Sequence, residues 1–136
     1  MAALTQDRQT PHRASRDFSF PVAATTKIYG GAIVCITAAG YATKGTTSTT
    51  LKAVGVSDAL ADNTNGANGD IKVKTKRGTF KFGNSTSTDQ ITLADVGASA
   101  YIVDDQTVAK TNGSNTRSVA GVIRDVEADG NVWVEF

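Results

Sequence analysis

Apolar side chains along this chain come in short runs, and the runs change character near residue 28. Ala32-Ile33-Val34-Cys35-Ile36 is continuous, β-branched and flanked by Gly30-Gly31 and Gly40. A run that short between glycines predicts a strand buried on both faces. Residues 51–57 (LKAVGVS) predict a second strand. Ile71, Val73 and Thr75 alternate with Lys72, Lys74 and Lys76, the pattern of a strand with one buried and one wet face. After Arg77-Gly78 the alternation resumes in Thr79-Phe80-Lys81-Phe82, which predicts a hairpin. Tyr101-Ile102-Val103 and Thr107-Val108-Ala109 flank a turn at Asp104-Asp105-Gln106. Val119–Val126 and residues 131–136 (NVWVEF) are joined by Glu127-Ala128-Asp129-Gly130, and Asp-Gly between β-branched runs is a strong hairpin signal. Trp133, inside the last strand, is expected in the core. The only helical candidate is short, residues 89–96 (DQITLADV), stopped by Gly97. The fold class expected is all-β: a small antiparallel β-barrel or sandwich with one short helix.

Residues 1–27 follow another pattern. From Thr5 to Asp17 the only apolar side chain besides Pro11 is Ala14. Pro11 and Pro21 break any helix. Arg8, Arg13, Arg16 and Lys27 face only Asp7 and Asp17, so the segment is locally basic. Phe18, Phe20 and Val22 then alternate, as a strand with one apolar face does. Composition alone reads as a solvated tail. The functional reading is an extended arm over 1–27 in front of a β-domain over 28–136. Such an arm cannot offset its own ordering entropy, about 1–2 kcal/mol per residue, and orders on a partner surface. Its expected contact residues are Leu4, Gln6, Arg8, Arg13, Arg16, Phe18, Phe20 and Val22. The arginines would make charge-assisted bonds, and Phe18 to Val22 would add as a strand to a partner's sheet. Fully extended, the 27 residues reach on the order of 90 Å.

Composition removes most chemistry. Charge is nearly balanced, 14 basic against 13 acidic residues, so no global field attracts nucleic acid or a membrane. The single cysteine, Cys35, excludes an intramolecular disulfide. It lies in an apolar strand, where a thiol behaves as a small hydrophobe. The single histidine, His12, lies in the arm with no packed wall to orient it as a base. One Cys and one His cannot supply the three or four ligands of a zinc site. Adjacent Asp104 and Asp105 point to opposite faces if extended, so they do not make a proton-sharing dyad. Asn63-Thr64-Asn65-Gly66 glances at a calcium loop, but Ala61 and Lys72 occupy ligand positions. Residues 40–46 (GYATKGT) glance at a phosphate loop, with the lysine on the wrong side of the second glycine. Lys72, Lys74, Lys76, Arg77 and Lys81 form a basic stripe whose simplest reading is a solvated face that protects an edge. The expectation is a protein without enzymatic activity, metal or cofactor. No apolar run approaches the ~20 residues needed to span a bilayer, and residues 1–17 lack the apolar segment of a signal peptide. A reducing cytoplasm is the expected place of folding.

The C-terminal half resembles the capsid cement, or head-decoration, proteins of tailed bacteriophages. The likeness is carried by Asp95-Val96-Gly97, by residues 100–108 (AYIVDDQTV), by residues 118–123 (SVAGVI) and by residues 129–134 (DGNVWV). A looser agreement runs through residues 31–34, 40–42, 53–56, 69–74 and 78–80, so it covers most of 30–136. It is a pattern of small residues and strands without a catalytic signature. The resemblance implies a small β-barrel or β-tulip domain, seated as a homotrimer at threefold and quasi-threefold positions on the outer surface of the virion capsid. There it would clamp the major capsid protein against internal DNA pressure, after synthesis in the host bacterial cytoplasm. Arms are common in that family but variable in sequence. Two other readings compete: a virion-displayed carbohydrate-binding β-module, for which aromatic platforms are few, and a single-strand nucleic-acid barrel resting on the lysine stripe.

Overall fold

The computed structural model describes residues 2–136, and 41% of the residues are strand against 4% helical. The strands in chain order are β1 (Asp17–Pro21), β2 (Thr26–Ile28), β3 (Ile33–Ile36), β4 (Ala42–Lys44), β5 (Lys52–Ser57) and β6 (Ala61–Asn63). They continue with β7 (Lys72–Lys76), β8 (Thr79–Asn84), β9 (Ser99–Ile102), β10 (Thr107–Ala109), β11 (Val119–Val126) and β12 (Val132–Glu135).

The first half folds as a five-stranded sheet in the order β1-β7-β5-β3-β4, every pair antiparallel. Just past β1, a parallel bridge joins Val22 to Ala42 of β4, with the Ala23 amide donating to the Ala42 carbonyl at 2.9 Å. The bridge draws the two ends of the sheet together. Val22, Val34, Ala42 and Val73 form one core with Ile28 and Ala61 from the separate β2-β6 ribbon. The unbroken apolar run of β3 now has its cause. Val34 points into this core, while Ile33 and Cys35 point the other way, into a second one.

That second core fills a closed barrel made by the second half, in the order β10-β8-β12-β11-β9. Its pairs are antiparallel except β10-β8, which run parallel and close the cylinder. Phe82, Ile102, Val108, Ile123, Val132 and Val134 fill the interior, together with Ile33, Cys35 and Val56 from the sheet. Each large side chain fully buried there stabilises the fold by about 1.5–3 kcal/mol. The β11-β12 hairpin turns as its Asp-Gly pair requires: Gly130 has φ +88°, and the Gly130 amide donates to the Glu127 carbonyl.

Four expectations change. The short helix over 89–96 is instead two single 3₁₀ turns, Ser87–Asp89 and Leu93–Asp95. Between them Ile91 is drawn into the barrel core, where the Asn84 side chain accepts from its amide and donates to its carbonyl. These tertiary bonds take the main-chain groups a helix would use. The hairpin at Arg77-Gly78 does not form: β7 pairs with β1 and β5, and β8 with β12 and β10. The chain crosses there from sheet to barrel. Trp133 is half-buried on the outside of the barrel, because Val132 and Val134 take the inward positions. Finally, residues 17–27 are not part of a free arm. They supply β1, the buried Val22 and the start of β2.

Candidate interaction surface

What remains of the arm is residues 2–16. Every residue from Ala2 to Asp17 is exposed, and no regular strand or helix includes residues 2–16. Leu4 is 72% exposed and is free to be buried against a partner. Gln6, Arg8, Arg13 and Arg16 are likewise exposed. Phe18 and Phe20, stacked with ring centroids 6.3 Å apart, are half-buried, and Val22 is fully buried. The eight expected contact residues therefore divide. Leu4, Gln6, Arg8, Arg13 and Arg16 are available to a partner. Val22 is not, since it belongs to the protein's own core, and Phe18 to Val22 are already paired along one side with β7 of the protein's own sheet.

The root of the arm is well fixed. The Arg77 amide donates to the Arg16 carbonyl at 2.7 Å, and the Val22 amide donates to the Ile71 carbonyl at 2.9 Å. The Thr75 hydroxyl donates to the Phe18 carbonyl at 3.0 Å. Asn63 is buried and its side-chain amide donates to the carbonyls of Val22, Ala23 and Ala67. The Arg13 guanidinium lies 4.4 Å from the centre of the Phe18 ring, a cation–π contact.

Two grooves flank this root. One, of about 370 Å³, is lined by Phe18, Phe20, Ala53, Val54, Ala120 and Phe136, and runs between sheet and barrel. The other, of about 530 Å³, is polar and is lined by Arg13, Asp17, Ser19, Asp58, Lys72 and Lys74. In it Lys76 bonds Asp58 at 3.0 Å, and that bond with the lysine charge holds the Asp58 carboxyl below its usual range. Arg16 stands 4.0 Å from Asp17. Arg13, Lys72 and Lys74 have no carboxylate partner among the described residues. The sequence shows Lys72 and Lys74 as one wet face, but not that Arg13 and Asp58 join them. That neighbourhood arises only when β1 pairs with β7.

Lys81, from the same basic stripe, is neutralised. Lys81 bonds Glu127 at 2.6 Å and Asp129 at 3.2 Å. Glu127 also accepts from the Trp133 indole at 2.8 Å, and its carboxyl is held low by the Lys81 bond first and the indole bond second. Cys35 has no exposed surface, and burial pushes its thiol up to about 12, far from a reactive thiolate. His12 is exposed in the arm. Asp104 is turned into its own loop, accepting from the Gln106 amide. Among the described residues no three His, Cys, Asp or Glu side chains cluster to hold a metal, and no helix is long and apolar enough to cross a membrane. No known protein family, curated protein or solved structure matches the chain.

Proposed function

We propose that this protein is a structural binding module, a capsid cement protein of a tailed bacteriophage, and that residues 2–16 are its attachment arm. The observation that carries the reading is the exposed arm with Leu4 and three arginines, rooted through Arg16 in the edge strand of a double β-core. The sequence resemblance over residues 30–136 supplies the partner class, the major capsid protein, and the homotrimer at threefold positions of the outer capsid surface. A clamp needs a stable body and a reaching segment, and no reacting group. Extended, residues 2–16 span on the order of 50 Å, enough to cross a seam between neighbouring subunits. Burial of Leu4 would contribute about 1.5–3 kcal/mol, and each charge-assisted arginine bond about 1.5–3 kcal/mol.

The test is decoration of heads that lack the protein. The chain without residues 2–16 is expected to fold normally but to attach weakly, and its heads to release DNA at a lower temperature. Equal decoration by the shortened chain refutes the arm mechanism. Electron cryo-microscopy of decorated heads checks the threefold position. A second reading gains one observation, the half-exposed Trp133 held by Glu127 on the barrel exterior. A specific hit on a glycan array, lost in Trp133→Ala, would favour a carbohydrate-binding module.

A further inference from the structure

We propose that the open edge of β1 is a docking site for an extended acidic segment of a partner protein, which adds to the sheet as a sixth strand. β1 is the terminal strand of its sheet: β7 occupies one side, and on the other β4 reaches only the end of the edge, through the bridge from Val22 to Ala42, leaving Asp17 and Ser19 without a strand partner there. The carbonyls of Arg16 and Phe18 and the amide of Val22 point toward β7. Main-chain groups alternate in direction along an antiparallel strand, so those of Asp17 and Ser19 point outward. Pro21 ends the edge, because it has no amide to donate. The site is thus short and has a defined end.

The side chains beside this edge select the partner's charge. Lys74 lies opposite Ser19, and Lys72 opposite Pro21. Both neighbours are short, so the two lysines can reach across β1 toward an added strand about 9–10 Å from β7. They stand two residues apart on one face, about 7 Å along the strand, which is the spacing of alternate side chains on the incoming segment. Arg13, held over Phe18, brings a third cation to the same groove. None of the three has a carboxylate partner among the described residues, whereas Lys76 is matched by Asp58 and Lys81 by Glu127. A segment alternating acidic and small or β-branched residues satisfies the main chain and the charges together. A nucleic acid does not. It has no peptide amides for the outward carbonyls of Asp17 and Ser19, and the one ring in the groove, on which a base could stack, is covered by Arg13.

The inference goes beyond the capsid reading and does not depend on it, because its test needs no heads. The full chain is titrated into three fluorescent probes: a capped peptide of about ten residues alternating Glu and Thr, its Lys and Thr counterpart, and a single-stranded oligonucleotide of similar length. The Glu-Thr peptide is expected to bind, and to slow hydrogen exchange at the Ser19 amide. Ser19→Ala is expected to keep binding. Ser19→Pro, which removes an outward amide and leaves the β7 bonds intact, is expected to weaken binding at least tenfold. Lys72→Glu with Lys74→Glu is expected to weaken it by a similar factor and to confer binding of the Lys-Thr peptide. Equal affinity for the two peptides, tighter binding of the oligonucleotide, or no binding of any probe at millimolar concentration overturns the proposal. If Ser19→Pro does not fold, the exchange rate of the Ser19 amide in the native chain decides: no slowing with bound peptide refutes strand addition.

Discussion

Truncation from the N-terminus should show a sharp threshold between residues 16 and 22. Removing residues 2–16 takes away only exposed side chains and one main-chain bond, from the Arg77 amide to the Arg16 carbonyl. The expected change in melting temperature is no more than about 5–6 °C, since such a bond contributes about 0.5–1.5 kcal/mol net and each kcal/mol moves the midpoint of a chain this size by about 3–4 °C. Removing residues 2–22 is different in kind. Val22 is fully buried, and losing it costs about 1.5–3 kcal/mol, with half-buried Phe20 adding about half as much. The buried Thr75 hydroxyl loses its acceptor on Phe18. Leaving that donor short costs about 1–3 kcal/mol. The β1-β7 main-chain bonds add a few kcal/mol more, and the total of about 5–9 kcal/mol matches the whole stability of many domains, about 5–15 kcal/mol. The longer deletion should therefore be unfolded or aggregated at room temperature, because it also bares the β7 edge. Far-UV circular dichroism melts of the full chain and both truncations measure this. A 2–22 deletion that melts within about 3 °C of the full chain would refute the integration of β1 and Val22 into the fold.

Cys35 should resist a thiol reagent in the native protein and react at once in denaturant, and fast native labelling would contradict its burial. Its thiol rises from 9.0 to about 12 on folding, so the folded state holds a proton that the unfolded chain releases between those values. Stability should be unaffected by this group below about pH 9 and should fall as pH rises above it, and Cys35→Ala should lose that alkaline slope in urea titrations. Gly121→Ala should destabilise strongly, by about 3 kcal/mol or more, because a Cβ there runs into the Glu135 carbonyl of the neighbouring strand. Gly130→Ala, in open space at φ +88°, should cost only about 1 kcal/mol in the same melts. Asn84→Ala should cost about 2–4 kcal/mol, since its side chain serves Ile91 twice and the Gly130 carbonyl once; a loss under 1 kcal/mol would show that the 3₁₀ segment does not need it.

The sequence by itself determined what local pattern encodes. The β-branched run of β3, the alternation of β7 and the Asp-Gly turn between β11 and β12 each specify their own backbone, because strand faces and tight turns are decided by residues next to one another. Cys35 was legible for the same reason, enclosed by Ile33, Val34 and Ile36. The exposed, basic character of residues 2–16 was legible too. The tertiary structure decided which edges meet. Phe18 and Phe20 show a strand with one apolar face, but nothing near them says that the matching edge is β7, more than 50 residues away. Arg77-Gly78 reads as a turn between two alternating strands; the competing partners β1 and β12 convert it into a crossing between sheet and barrel. Trp133 is large and apolar, yet the period of two in β12 allots the interior to Val132 and Val134. Residues 89–96 have the composition of a helix, but a helical turn competes with burial of Ile91 and the bonds from Asn84, and those long-range interactions win. The charge neighbourhood of Arg13, Asp58, Lys72 and Lys74 is likewise a product of pairing: these residues are scattered along the chain, and only the register of β1 on β7 gathers them into one groove.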